Sequence, residues 1–238
     1  MSLKNLFLKN FFTYKIYIYY NLYIRNKAYK KRKYYSQWGE DLFVKNYFEN
    51  KKKGFYVDVG CFHPIMYNNT CLLHKKGWSG INIDLNKTSI DLFKIMRPND
   101  YNICAAMSDI NEERDLFFDH YFSPVNTLSE SVYNSADKNI SFKKFNKKKI
   151  LTTTFDDIVK NISISFSIDF LNIDCEGFDY LVLKGFNIKK YNPKLICIET
   201  HDVNGNPVKM YNEITNFLKN VNYSFLKRCG PSSFFQFN

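Results

Sequence analysis

Carboxylates recur at one kind of place in this chain: the ends of short, β-branched, apolar runs. Asp58 follows "GFYV" with Gly60 two residues on, and Asp84 ends "GINID". Ser108 and Asp109 follow "YNICAAM", Asp174 and Glu176 stand in "FLNIDCEG", and Glu199 closes "KLICIE" with His201 just after. Such runs read as buried strands, and an open parallel sheet binds its ligands outside the carboxyl ends of its strands. A single carboxylate there is explained by capping the next helix, which is the reading for Asp109. One at the end of every core strand points to a ligand site. The turn "DVGCFHP" lacks the G-x-G-x-x-G spacing that lets a helix N-terminus meet a pyrophosphate, and puts His63 and Pro64 where backbone would approach it. It suits a nucleoside without phosphate: Gly60 permits close approach, and Asp84 accepts from two ribose hydroxyls. S-adenosylmethionine is such a ligand, and its cationic amino and sulfonium groups match an acidic rim.

The last strand ends also carry the means to move a proton. His201 is the first choice of acceptor at neutral pH, with Asp174 and Glu176 beside it as catalytic candidates. Asp174, Glu199 and His201 alternatively read as ligands for a divalent cation such as magnesium. A plainer reading gives Glu176 and Asp179 to the turn after Gly177 and leaves Asp174 alone in the site. His63 reads as a wall of the acceptor pocket, and His74 and His120 as surface residues. Cys61, His63, Cys71 and His74 could be drawn as a zinc set, but their spacing fits no standard finger.

The elements that must position these groups alternate. After the strand "GFYVDVG" comes a helix in "NNTCLLHKKGW". The strand "GINIDL" leads to a helix "TSIDLFKIM", opened by Thr88 or Ser89 and stopped before Pro98, and then to the strand "YNICAAMS". Two extra strands, "RDLFFD" and "KILTTTF", flank an irregular stretch over 110–150 that is assigned to the acceptor pocket. "FLNIDCEG", the helix "FDYLVLKGF", "KLICIET", the helix "VKMYNEITNFLKNV" and the final pair "YSFLKR" and "SSFFQF" complete the series. The alternation predicts a mostly parallel sheet with helices on both faces and an antiparallel edge from the last pair. No internal repeat or long linker divides the chain.

The 238 residues are 45% apolar and carry a formal charge of +11, which resembles a nucleic-acid signature until it is located. Nine of the 34 basic residues and no acidic one lie in residues 1–35, leaving 25 basic against 23 acidic in the rest. Basicity confined to one segment argues against nucleic acid as a partner. That segment, rich in tyrosine and phenylalanine and expected to be helical, fits either an anionic membrane surface or packing on the domain or on a second copy of the chain. Six cysteines without a C-x-x-C pair suit a reducing compartment. No secretory signal and no apolar run of about 18 residues stands out. The expectation is a cytoplasmic protein, or one peripheral at the inner face of the membrane.

"GFYVDVGCFHP", "NNT", "KKGWSGINID", "FLNIDCEGFDYLVLKG" and "PKLICIET", in that order, resemble the FkbM family of S-adenosylmethionine-dependent methyltransferases. The likeness starts near "YSQWGEDLF" and runs almost to the end, which divides the chain into a basic N-terminal segment, 1–34, and a methyltransferase domain, 35–238. The resemblance implies an α/β, Rossmann-like class I methyltransferase fold of seven strands with the last antiparallel, and O-methylation, often of sugars in polysaccharides or glycolipids. It implies S-adenosylmethionine held by Asp58, Gly60, Asp84 and Ser108, with a sugar or glycan as acceptor. The commoner family turn has another glycine near Pro64, so Asn69 and Thr70 are the candidates here for holding the methionine carboxylate. A nicotinamide-dependent oxidoreductase and a non-catalytic methyltransferase-like module remain the alternatives.

Overall fold

The computed structural model describes residues 10–118, 122–130, 132–133, 146–162 and 167–238. His120 and much of the irregular stretch lie outside them. Seven strands form one sheet: β1 (Phe55–Val59), β2 (Ser79–Asp84), β3 (Tyr101–Cys104), β7 (Phe170–Ile173), β8 (Leu195–Glu199), β9 (Tyr223–Cys229) and β10 (Ser232–Phe237). Their order is β3-β2-β1-β7-β8-β10-β9. The chain builds outward from β1 to β3 and then crosses back to β7, so the switch point of this Rossmann-like sheet falls between β1 and β7. β10 inserts antiparallel between β8 and β9. The last strand alone runs against the rest, and the two sheet edges are β3 and β9.

Strand periodicity sorts the core onto two faces. Val57, Val59, Ile81, Ile83, Leu171 and Ile173 pack on one side beneath the helices Asp179–Gly185 and Tyr211–Asn220, through Val182, Leu183, Ile214 and Leu218. Tyr56, Phe170, Leu195 and Cys197 face the other side, where Val44 of the helix Glu40–Tyr47 and Leu73 of the helix Cys71–Lys75 cover them. "YNICAAMS" is not one strand. It breaks at Ala105, whose N–H donates to the Asp84 carbonyl, and Ala106–Met107 (β4) leaves to join a small sheet with β5 (Glu113–Phe118) and β6 (Asn146–Thr153). The helix Lys87–Met96 is capped by Asn86, whose Oδ1 accepts from Thr88 N, so neither Thr88 nor Ser89 opens it.

The second face is polar in its middle. Asn82, Asp58 and Asn172 are partners across β2, β1 and β7. Asn172 Nδ2 donates to Asp58 Oδ1 (2.9 Å), while Thr70 Oγ1 (2.7 Å) and Asn68 Nδ2 (3.1 Å) donate to Oδ2. Arg97 is 1% exposed at the end of its helix, and its guanidinium donates to Thr70 Oγ1, Asn68 Oδ1, the Pro64 carbonyl (each 2.8 Å) and Tyr56 OH (3.1 Å). Thr70 and Asn68 thus bridge a buried carboxylate and a buried guanidinium. Burial pushes the Asp58 carboxyl up, opposed by the hydrogen bond from Thr70 and the charge of Arg97.

The described part of the N-terminal segment is helical over Phe11–Tyr19 and through a wider turn over Tyr20–Arg25. Ile18 and Leu22 bury against Leu92 and Phe122, Tyr14 OH donates to Asp91 (2.6 Å), and Asn26 Nδ2 meets His63 Nε2 (3.2 Å). No helix among the described residues is long and apolar enough to cross a membrane. Removing one partner of a buried charged network leaves the other uncompensated, at about 3–5 kcal/mol. Arg97→Met should therefore lower the Tm by roughly 10 °C, as read by thermal circular dichroism, while a surface change such as Lys87→Met leaves it unmoved.

Candidate active site

Three turns meet at the switch point. After β1 the chain reverses at Gly60 (φ 78°), and the N–H groups of Gly60 and Cys61 both reach the Ile83 carbonyl. Phe62 follows, also left-handed (φ 47°), and donates its N–H to Asp84 Oδ2 (2.9 Å). Asp84 Oδ1 accepts from Asn86 N (2.7 Å). Each oxygen of Asp84 holds one backbone donor and keeps a lone pair for another. Burial raises this carboxyl to about 6, against those backbone bonds.

The turn after β7 is held by Asp179, which accepts from Cys175 N (2.9 Å) and Gly177 N (3.0 Å). Asp179 therefore organises the turn as the plainer reading had it, but Glu176 does not. Glu176 is left-handed (φ 51°), and only its carbonyl is used, accepting from Thr127 Oγ1 (2.8 Å). Its carboxylate and those of Asp174 and Glu199 have no hydrogen-bond donor among the described residues. Four acids crowd here: burial first, then neighbouring negative charge, pushes Glu176 up to about 7 and Glu199 to about 11, and carries Asp174 well above the ordinary range. Asp179 rises to about 6 from burial, against its backbone bonds. Such a cluster suits a cationic ligand.

A cleft of about 70 Å³ runs over these turns, lined by Gly60, Asp84, Asp174 and Glu176 with Leu85 and Met107 among its apolar walls. A wider pocket of about 810 Å³ adjoins it and takes in Glu199 and His201. The two share Leu128, Glu176 and Phe178. Glu176 is thus the acid common to both.

Four of the expected cofactor residues are elsewhere. Asp58 and Thr70 are engaged in the buried network with Arg97, and Asn69 Nδ2 donates to Asn172 (2.9 Å). Ser108 is fully buried, its hydroxyl on Asp109 (3.1 Å), and its carbonyl lies where a Cβ at Gly185 would stand. Asp109 pairs with Lys184 (2.6 Å) instead of capping a helix. These side chains fall on the underside of the turns because strand alternation carries Asp58 away from Val57 and Val59, and "NNT" closes over it.

The proposed cation ligands do not assemble. No three of the described His, Cys, Asp and Glu residues are disposed to hold a metal ion. Asp174 lines the inner cleft, whereas Glu199 and His201 line the outer pocket, and His201 Nδ1 lies 2.8 Å from Thr200 Oγ1. His63 is not a pocket wall either. It is wholly buried, its Nδ1 accepts from Ile65 N and Met66 N, and burial with the charges of Arg97 and Arg25 lowers it to about 3. His74 is half-buried, 3.8 Å from Asp100.

Residues 58–225 match the family model described as the methyltransferase FkbM domain. The chain belongs to the FkbM methyltransferase family. No match was found among curated proteins or among solved structures. The matched span opens at Asp58 and takes in both turns and the acids around them, so the FkbM domain and the cleft coincide. The walls Phe62, Leu85, Met107, Leu128 and Phe178 had no chemical signal in the sequence, being apolar residues in or beside turns.

Gly60 is required for a reason different from ligand approach. A Cβ there would stand 1.8 Å from the Asp174 carbonyl oxygen, and the φ is one that L side chains avoid. Gly60→Ala should cost more than about 2 kcal/mol and Gly60→Val should prevent folding, as read by the thermal midpoint and near-ultraviolet circular dichroism. A Gly60→Val variant with native stability would contradict this packing.

Proposed function

We propose that this protein is an S-adenosylmethionine-dependent O-methyltransferase acting on a hydroxyl of a sugar, in polysaccharide or glycolipid assembly. The observation that carries the reading is Asp84 at the end of β2. Its carboxylate is pinned by two backbone N–H groups, keeps a lone pair on each oxygen, and faces a cleft shared with a cluster of acids. A ribose diol needs such a pair of acceptors, and a cationic amino acid group suits the acids. S-adenosylmethionine, when bound, supplies a methyl group already activated for in-line displacement.

The rest falls to the chain. Asp84 orients the ribose, and Leu85 and Met107 give the base an apolar wall. Asp174 places a carboxyl oxygen in the inner cleft. Glu176 faces both cavities, and burial raises its carboxyl to about 7, so it would hold and take up the proton of the acceptor hydroxyl. His201 is the weaker choice: it lines only the outer pocket, and burial and Arg228 lower its basicity. Glu199, protonated at neutral pH, serves as a hydrogen-bond donor to the acceptor. The outer pocket combines charged Arg114, Glu130 and Lys209 with the ring of Tyr180, a lining that suits a polyhydroxylated acceptor.

Charge-assisted hydrogen bonds contribute about 1.5–3 kcal/mol each, so Asp84→Ala should weaken S-adenosylmethionine at least roughly tenfold in calorimetry. Protonation removes an acceptor, so wild-type affinity should fall as pH drops through about 6, a dependence weakened in Asp84→Asn. Binding of NAD in place of S-adenosylmethionine would point to the oxidoreductase.

Turnover is to be tested with nucleotide sugars and glycans and mass detection of one added methyl. Glu176→Gln should lower the rate roughly 10²–10⁴-fold with cofactor affinity kept. Because the base must be ionised, the wild-type rate should rise as pH is raised through about 7. Cofactor binding without methyl gain on any sugar would leave a binding module.

A further inference from the structure

The inner face of the N-terminal helix is fully used, through Tyr14, Ile18 and Leu22. Its outer face is exposed among the described residues. Phe11 (64%), Phe12 (75%), Ile16 (68%) and Ile24 (60%) are exposed, together with Tyr19, Tyr20 and Tyr23. Seven large apolar side chains exposed within fourteen residues form a patch that an isolated soluble surface seldom carries. Around it stand Lys15, Arg25, Lys27, Lys31, Arg32 and Lys33, all exposed, and residues 10–35 contain no acid. Lys15 Nζ lies 4.4 Å from the Phe11 ring centroid and the Arg32 guanidinium 4.1 Å from that of Tyr29, so charge and ring are presented together. Asp91, the carboxylate this helix packs on, is already occupied by Tyr14 and Lys87.

We propose that this face is a docking surface for an anionic lipid membrane, with the helix lying in the plane of the interface. Aromatic and aliphatic side chains enter the headgroup region, and the basic residues meet the lipid phosphates. A positive charge without an ion pair among the described residues, over an apolar patch, fits a surface that is negative outside and apolar beneath. A second copy of the chain would bring the same six cations against themselves. The inference concerns binding alone and does not rest on methyl transfer.

The helix cannot be deleted cleanly, because Leu92, Phe122 and His63 would lose their partners. The test therefore uses the full chain and outward-facing substitutions. In co-sedimentation at physiological salt, wild type should bind vesicles of phosphatidylcholine with phosphatidylglycerol and ignore phosphatidylcholine alone. The triple variant Phe12→Ser, Ile16→Ser, Ile24→Ser should bind at least tenfold more weakly with an unchanged thermal midpoint. So should Lys27→Gln, Lys31→Gln, Lys33→Gln, each lysine near such a surface being worth about fivefold. No binding of wild type to the anionic vesicles would overturn the proposal. So would equal binding by the variants, or a sizing measurement showing a dimer that the apolar variant dissociates.

Discussion

Asp58 and Arg97 are two opposite charges taken out of water at the middle of the sheet, and neither touches the other. Each is satisfied through Thr70 and Asn68, which donate to the carboxylate and accept from the guanidinium. An arrangement like this tolerates little drift: a buried charge that loses its hydrogen bonds costs several kcal/mol, so the four residues must hold their places together. Their places fix the return of the chain after Gly60. The same guanidinium reaches the Pro64 carbonyl and Tyr56, so the long turn between β1 and the helix Cys71–Lys75 is pinned at its start, middle and end.

The ligand-facing side of that turn inherits its rigidity. With Asp58 anchored beneath, Gly60 can press against the Asp174 carbonyl, and Phe62 is left to offer its N–H upward to Asp84. The acids at the end of β7 and β8 are the converse case. Apart from Asp179, they have no donor among the described residues, and burial first, then the charges of strands that are neighbours for other reasons, raises their titration. One side of the switch point is thus closed and satisfied, and the other is open and electrostatically strained, which is the division expected between scaffold and site.

The N-terminal helix shows the same economy of faces. Its sequence is apolar nearly all round, which periodicity alone reads as buried or interfacial. Packing on the helix Lys87–Met96 uses one side, and the latch from Asn26 to His63 ties it to the turn that carries Phe62. The inner face of this segment packs onto the domain.

Several features are legible in the sequence alone. Periodicity and turn residues identified every strand of the main sheet, because a half-buried strand must alternate and a buried parallel one must be apolar. The carboxylates at the strand ends were visible by type and position, and Asp84, Asp174 and Glu176 do share a cleft. The direction of side chains in the turns was not legible. Asn69 and Thr70 read as well outward as inward, since a turn has no period to assign a face, and the partner that drew them inward, Arg97, lies 27 residues beyond Thr70 with nothing in its surroundings to mark it. Whether His201 or Glu176 stands at the junction of the two cavities depends on a left-handed turn at Glu176 and on how β8 ends, neither of which residue identity settles. Sequence by itself determined which chemistry was on offer at the carboxyl edge of the sheet. Tertiary packing decided which of those groups keep a free lone pair, because that depends on what long-range neighbours have already claimed.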